Sequence, residues 1–155
     1  KDDEKYRAWY RCDTEPESAL TRSGKGTAYA ESIDGIEWEK PNLGLFELNG
    51  SKENNIVWMG PGGNLAPFKD PNPDVHETQL YKAVARTRDL HALCSPDGIH
   101  WSLMGQEPLS TDGPFDSPQV VFWDDWQNEY VLYSRGAADV DPKIKNPEYQ
   151  KNSLF

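Results

Sequence analysis

Two aspartates occupy matching places in a short pattern. Phe68-Lys69-Asp70-Pro71 and Phe115-Asp116-Ser117-Pro118 each run Phe, then Asp, then Pro within three residues. Each stands ahead of an aromatic segment that ends in Arg. Cleavage of a glycosidic bond needs two carboxyl groups, one protonated as acid and one ionised as base or nucleophile. Asp70 and Asp116 are the best pair for those catalytic roles, because equivalent positions in adjacent copies of a repeat point at one cavity. As a working pair they would lie within roughly 10 Å of each other, and replacing either by Asn would cost activity and little stability. Aspartate before proline also caps turns, and that alternative stays open. Lys69 faces away from Asp70, since side chains alternate along an extended segment.

A second group has the composition of a sugar-contact surface. Trp123-Asp124-Asp125-Trp126 follows the apolar run Val120-Val121-Phe122. Indole faces stack on the apolar C–H faces of sugar rings. Trp123, Asp124 and Arg135 are therefore candidate substrate-binding residues. Aromatic residues of a β-rich chain are more often core, and Trp9 and Trp58 share that ambiguity.

The elements that must position these residues announce themselves as a repeat. Tyr6-Arg7-Ala8-Trp9-Tyr10-Arg11, Tyr81-Lys82-Ala83-Val84-Ala85-Arg86 and Tyr130-Val131-Leu132-Tyr133-Ser134-Arg135 are three copies of one β-prone segment, expected as central strands of successive sheets. Ser32-Ile33-Asp34-Gly35-Ile36-Glu37-Trp38 recurs as Ser95-Pro96-Asp97-Gly98-Ile99-His100-Trp101. Asp-Gly marks a tight turn, so each copy predicts a hairpin with an exposed tip and a buried tryptophan, Trp38 or Trp101, on the returning strand. Asp34 and Asp97 repeat too regularly for catalysis; a residue present in every copy serves the copy.

The implied unit is four strands: the Phe-Asp-Pro strand, the Tyr-Arg strand, then the hairpin. Units of this size and make-up read as propeller blades. The spacing from Tyr6 to Tyr81 is 75 residues and from Tyr81 to Tyr130 is 49, and the excess falls in residues 40–65 as a long loop holding one strand, Asn55-Ile56-Val57-Trp58. The chain thus predicts an all-β fold of about two and a half blades, over residues 6–58, 66–109 and 114–135, with an irregular tail at 137–155. The rest of the ring is expected outside these residues, and the charged start Lys1-Asp2-Asp3-Glu4-Lys5 reads as a cut rather than a signal peptide.

Composition narrows the partners. Only 36% of the 155 residues are hydrophobic, yet 12% are aromatic, which argues against disorder. A net charge of −10 lacks the basic stripe a nucleic-acid surface needs, and it disfavours anionic membranes. Cys12 and Cys94 have no metal-ligand spacing, free thiols are the default, and a disulfide between them stays open. His76, His91 and His100 are scattered, so neither a metal nor a cofactor is expected. The oxygen-rich Asp70-Pro71-Asn72-Pro73-Asp74 reads as a solvated turn rather than a Ca²⁺ loop.

With these motifs placed, the chain resembles the five-bladed β-propellers of glycoside hydrolase families 43 and 32 and their bacterial relatives. The likeness is carried by the run from Tyr29 to Pro41, by Gly50-Ser51, by Asn54-Asn55-Ile56-Val57 and by Phe68-Lys69-Asp70-Pro71. It implies inner-strand carboxylates converging on an axial funnel. Asp70 resembles the aspartate of the Arg-Asp-Pro motif, with Lys69 in place of Arg, and Asp116 holds the matching place one blade on. The first-blade aspartate has no counterpart after Lys1, and the acid, a Glu in these families, has no clear match. The resemblance implies a glycosidase acting on a polysaccharide or oligosaccharide, and a secreted or periplasmic location. Two alternatives remain: a non-catalytic carbohydrate-binding propeller, and a sialidase-like one suggested by the Asp-box form of the Ser-x-Asp-Gly-x-x-Trp turns.

Overall fold

The computed structural model describes residues 4–14, 25–60, 65–86, 89–111 and 119–133. Three antiparallel sheets account for their regular structure, and a 3₁₀ turn at Glu77–Gln79 is the one helical element among them. The fold is all-β.

Sheet one contains β1 (Tyr6–Asp13), β2 (Lys25–Ser32) and β3 (Ile56–Trp58), in the order β1-β2-β3. Sheet two contains β4 (Phe68–Lys69), β5 (Tyr81–Arg86), β6 (Leu90–Ser95) and β7 (Ser102–Leu103), ordered as the chain runs. Sheet three pairs β8 (Val120–Asp124) with β9 (Glu129–Tyr133). Sheet two has the expected four strands in the expected sequence. The first Tyr-Arg segment departs from expectation: β1 is an edge of sheet one, because β2 occupies the centre between β1 and β3. β5 is internal as expected.

The long loop behaves as read. Asn55 starts the run into β3, which returns to pair with the first half of β2. Before it, Leu48 and Ser51 bridge across Asn49-Gly50, both in the left-handed region at φ 53° and 79°. Two such residues in succession make the mirror-image turn that suits a tight hairpin.

The sheets lie face to face in chain order. β5 is buried on both sides from Tyr81 to Ala85, and Lys82 is its one charged residue in that stretch. Its odd-numbered residues Ala83 and Ala85 pack with Trp58 and Leu65 from beyond β2, together with Leu93. Val84, on the other face, packs with Leu90 and with Val121 and Leu132 of sheet three. Full burial of side chains such as Leu132 contributes about 1.5–3 kcal/mol each, so these two seams hold the three sheets together.

The two Asp-Gly turns form as predicted but differ in cover. In each, Asp accepts backbone N–H bonds from the two residues after Gly: Ile36 and Glu37 at 2.8 and 2.9 Å, Ile99 and His100 at 2.9 and 2.8 Å. Gly35 and Gly98 adopt φ 81° and 78°, which is why glycine stands there. Trp38, expected in the core, is 41% exposed. Its turn closes through the Glu31–Glu39 bridge, and among the described residues no strand is paired beyond it. Trp101 is half-buried against the Trp58 cluster. The tip at Asp97-Gly98 is not free either: Gly98 is buried under sheet one.

Candidate functional site

Asp70 follows β4 directly and turns away from Lys69, which is exposed while Asp70 is buried. Lys82, the second residue of β5, reaches back to it, because β4 and β5 are register partners at Phe68–Lys82 and Lys69–Tyr81. The Lys82 ammonium donates to Asp70 Oδ2. Tyr130, the second residue of β9, donates its hydroxyl to the same oxygen at 2.6 Å. The other carboxylate oxygen, Oδ1, accepts the backbone N–H of Asn72 at 3.0 Å, and Asn72 Nδ2 donates to the Tyr130 hydroxyl at 3.1 Å. Lys82 Nζ also stands 5.2 Å from the Tyr130 ring centre. Carboxylate, ammonium and phenol thus form one closed network between sheets two and three.

This environment decides what Asp70 can do. Its side chain is 0% exposed and that of Lys82 is 4% exposed, so the pair has no solvent screening and no open face for a sugar. A buried carboxylate held by an ammonium and further donors is fixed in place. For Tyr130, burial first and then the bond to Asp70 raise the pKa, outweighing the contacts with Asn72 and Lys82, so the phenol keeps its proton. Asp70 therefore acts both as the turn cap that its place before Pro71 suggested and as an anchor between sheets. The segment after it is a turn exposed at Pro71, Pro73 and Asp74, in which successive Asx turns at Asp70 and Asn72 fold the chain back on itself. Asp116 and Arg135 lie outside the described residues.

Trp123 is half-buried and edge-on to Tyr130, with ring centres 4.8 Å apart. Asp124 caps the β8–β9 turn: its Oδ1 accepts from the backbone N–H groups of Trp126 and Gln127, and its Oδ2 accepts from the Gln127 side chain. Trp126, at the tip of that turn, is 98% exposed. The indole that this cluster presents to solvent is thus Trp126, while Trp123 and Asp124 support the hairpin that carries it.

A second contact, between sheets one and two, repeats the first. Arg7 lies over the Tyr81 ring at 5.4 Å from its centre, as Lys82 lies over Tyr130. Arg7 also donates to the carbonyl oxygen of Asp97 at 2.6 Å, and the Trp9 indole donates to that of Gly98 at 2.7 Å. Arg7 and Trp9 are two residues apart on β1 and so share a face. Asp97 itself is tuned by this turn. Burial alone would raise its carboxyl pKa; the backbone and ring of His100, the backbone of Ile99 and the Ser95 hydroxyl outweigh that and hold it at about 2.

Lys82, Arg7 and Trp9 escaped sequence reasoning as a group because their partners come from the next unit. The signal was present in the alignment of the copies, where a cation follows the leading Tyr in the first two segments and Val131 takes that place in the third. Cys12 and Cys94 are free thiols, and burial pushes the Cys12 thiol up. Among the described residues no His, Cys, Asp or Glu group gathers in a way that could hold a metal, and no helix is long and apolar enough to cross a membrane. No protein-family model, curated protein or solved structure matches the chain.

Proposed function

We propose that the three sheets are successive blades of a carbohydrate-active β-propeller, built on the plan of the family 43 and 32 glycoside hydrolases. The recurring contact supports the propeller: a cation of one sheet over the leading tyrosine of the next, Arg7 on Tyr81 and then Lys82 on Tyr130. Repeats that touch only their neighbours through one reused contact are the mark of such architectures. The carbohydrate reading rests on the motif resemblance and on Trp126, whose indole is presented to solvent on a capped hairpin. An indole presented in this way can stack on the apolar C–H face of a sugar ring.

Within this reading the described residues supply sugar contact and blade packing. Asp70 holds its blade to the next one, and the carboxyl that protonates a leaving group belongs to another residue. The closed network around Asp70 favours this over a direct role in hydrolysis. Titration of the protein with plant and algal oligosaccharides, followed by calorimetry, tests it. Trp126→Ala should weaken binding at least tenfold, the scale of one lost stacking contact, and leave stability unchanged. Binding that is indifferent to Trp126, or no binding to any oligosaccharide, refutes the sugar-contact assignment.

A further inference from the structure

The turn at residues 32–38 is one half of an interface whose other half can be read from its twin. Residues 95–101 repeat it with Ser, Asp, Gly, Ile and Trp in the same places. That second turn is occupied: Arg7 and Trp9 donate to the carbonyl oxygens of Asp97 and Gly98, and the Trp9 ring lies where a Gly98 side chain would begin, 2.8 Å from an ideal Cβ. Within each unit the leading tyrosine sits against the turn glycine, Tyr81 against Gly98 and Tyr6 against Gly35. The internal halves of the two interfaces are therefore alike.

The external halves differ. Gly98 O receives two indole donors, Trp101 and Trp9, while Gly35 O receives only Trp38 among the described residues. Ile36 is 82% exposed and Ile33 is 78% exposed. Exposure rises together at Asp34, Ile36 and Trp38 relative to Asp97, Ile99 and Trp101. Glu31, Glu37 and Glu39 replace Cys94, His100 and Ser102, and with Lys5, Asp34 and Trp38 they line an open groove of about 380 Å³. An acidic groove with an apolar rim suits a cationic and aromatic visitor.

We propose that residues 32–38 are the docking surface for a further repeat unit of this same kind, which lays a strand bearing a cation and, two residues on, a tryptophan across Asp34-Gly35. The cation lies over Tyr6 and bonds the Asp34 carbonyl oxygen, and the indole takes the second place on Gly35 O. This rests on the repeat packing and not on the carbohydrate reading, so failed sugar binding leaves it standing.

A tandem protein tests it, with residues 6–80 duplicated so that Leu80 runs into a second Tyr6. Its upstream copy then offers Arg7 and Trp9 to the downstream turn. Ile36→Asp in the downstream copy should lower the folding equilibrium constant of the tandem at least tenfold, measured by urea denaturation, because it buries a charge in the new seam. The same change in the single chain, at an exposed site, should alter it less than about twofold. Replacing Arg7 and Trp9 by Ala in the upstream copy alone should abolish that difference, as a double-mutant cycle requires of coupled residues. Equal effects of Ile36→Asp in both proteins overturn the proposal, as does a tandem no more stable than the single chain. Concentration-dependent association of the single chain that Ile36→Asp abolishes also overturns it, by giving the turn to a second copy.

Discussion

Replacing Asp70 by Asn separates an anchor from a catalyst. The side chain keeps its shape, but its one carbonyl oxygen can accept from either the Asn72 N–H or the Tyr130 hydroxyl, and the amide NH2 takes the other oxygen's place. What disappears is the negative charge facing Lys82, whose side chain is 4% exposed. Breaking a buried pair by removing one partner costs about 3–5 kcal/mol, because the other charge stays behind unpaired. Against a total of about 5–15 kcal/mol for a domain, this is a large fraction. With a urea dependence of about 2 kcal/mol per molar, the unfolding midpoint should fall by about 2 M. Removing both charges, as Asp70→Leu with Lys82→Met, should bring the protein back to within about 2 kcal/mol of the parent, since only the neutral donors Tyr130 and Asn72 then lose a partner. Equilibrium urea unfolding followed by circular dichroism reads all three proteins. An Asp70→Asn variant within 1 kcal/mol of the parent that loses activity on a responsive sugar substrate would refute the anchor and restore Asp70 as a catalytic candidate.

Two further outcomes follow from the Asp-Gly turns. Both Gly35→Ala and Gly98→Ala force alanine into the left-handed region, at about 1–2 kcal/mol each, but only the second drives a methyl into the Trp9 ring. Gly98→Ala should therefore be the worse by a further 1–3 kcal/mol, about the cost of overpacking, and equal urea midpoints would show that β1 does not rest on that turn. Asp97, whose folded pKa of about 2 lies below the ordinary 3.8, contributes stability that is fully present above about pH 4 and lost as pH falls through 2. Asp97→Asn should thus destabilise at neutral pH and converge with the parent in urea titrations near pH 2; a gap that persists there contradicts the carboxylate's role.

The repeat was legible because each copy needs the same local chemistry. Ser-x-Asp-Gly folds its own turn through bonds within seven residues, and nothing distant is required to recognise it. Asp70 was legible as a cap for the same reason. Its anchoring role was not, because Tyr130 arrives from 60 residues away and Lys82 sits on a different strand. Trp38 and Trp101 make the limit plain. Their motifs match, yet one indole is exposed and the other half-buried, since burial there is decided by whichever sheet lies across the turn. The shared pattern reports the turn; it carries no information about the neighbour. Trp126 was overlooked beside Trp123 because alternation along β8 could not say where the strand would stop.

The reused contact also gives the stack a polarity. Sheet two offers a cation, Lys82, on one side and receives one, Arg7, on its tyrosine on the other, so its two faces are complementary and never identical. An association of this kind is heterologous: it joins front to back, and no two-fold axis can relate two units through it. Successive additions either rotate until front meets back and close, or fail to close and extend without limit. Residue 131 bears on which occurs, because there the cation's place is held by a valine that is 1% exposed. A unit with Val131 at that position cannot pass on the cation contact it receives from Lys82. Propagation by this contact therefore stops at β9.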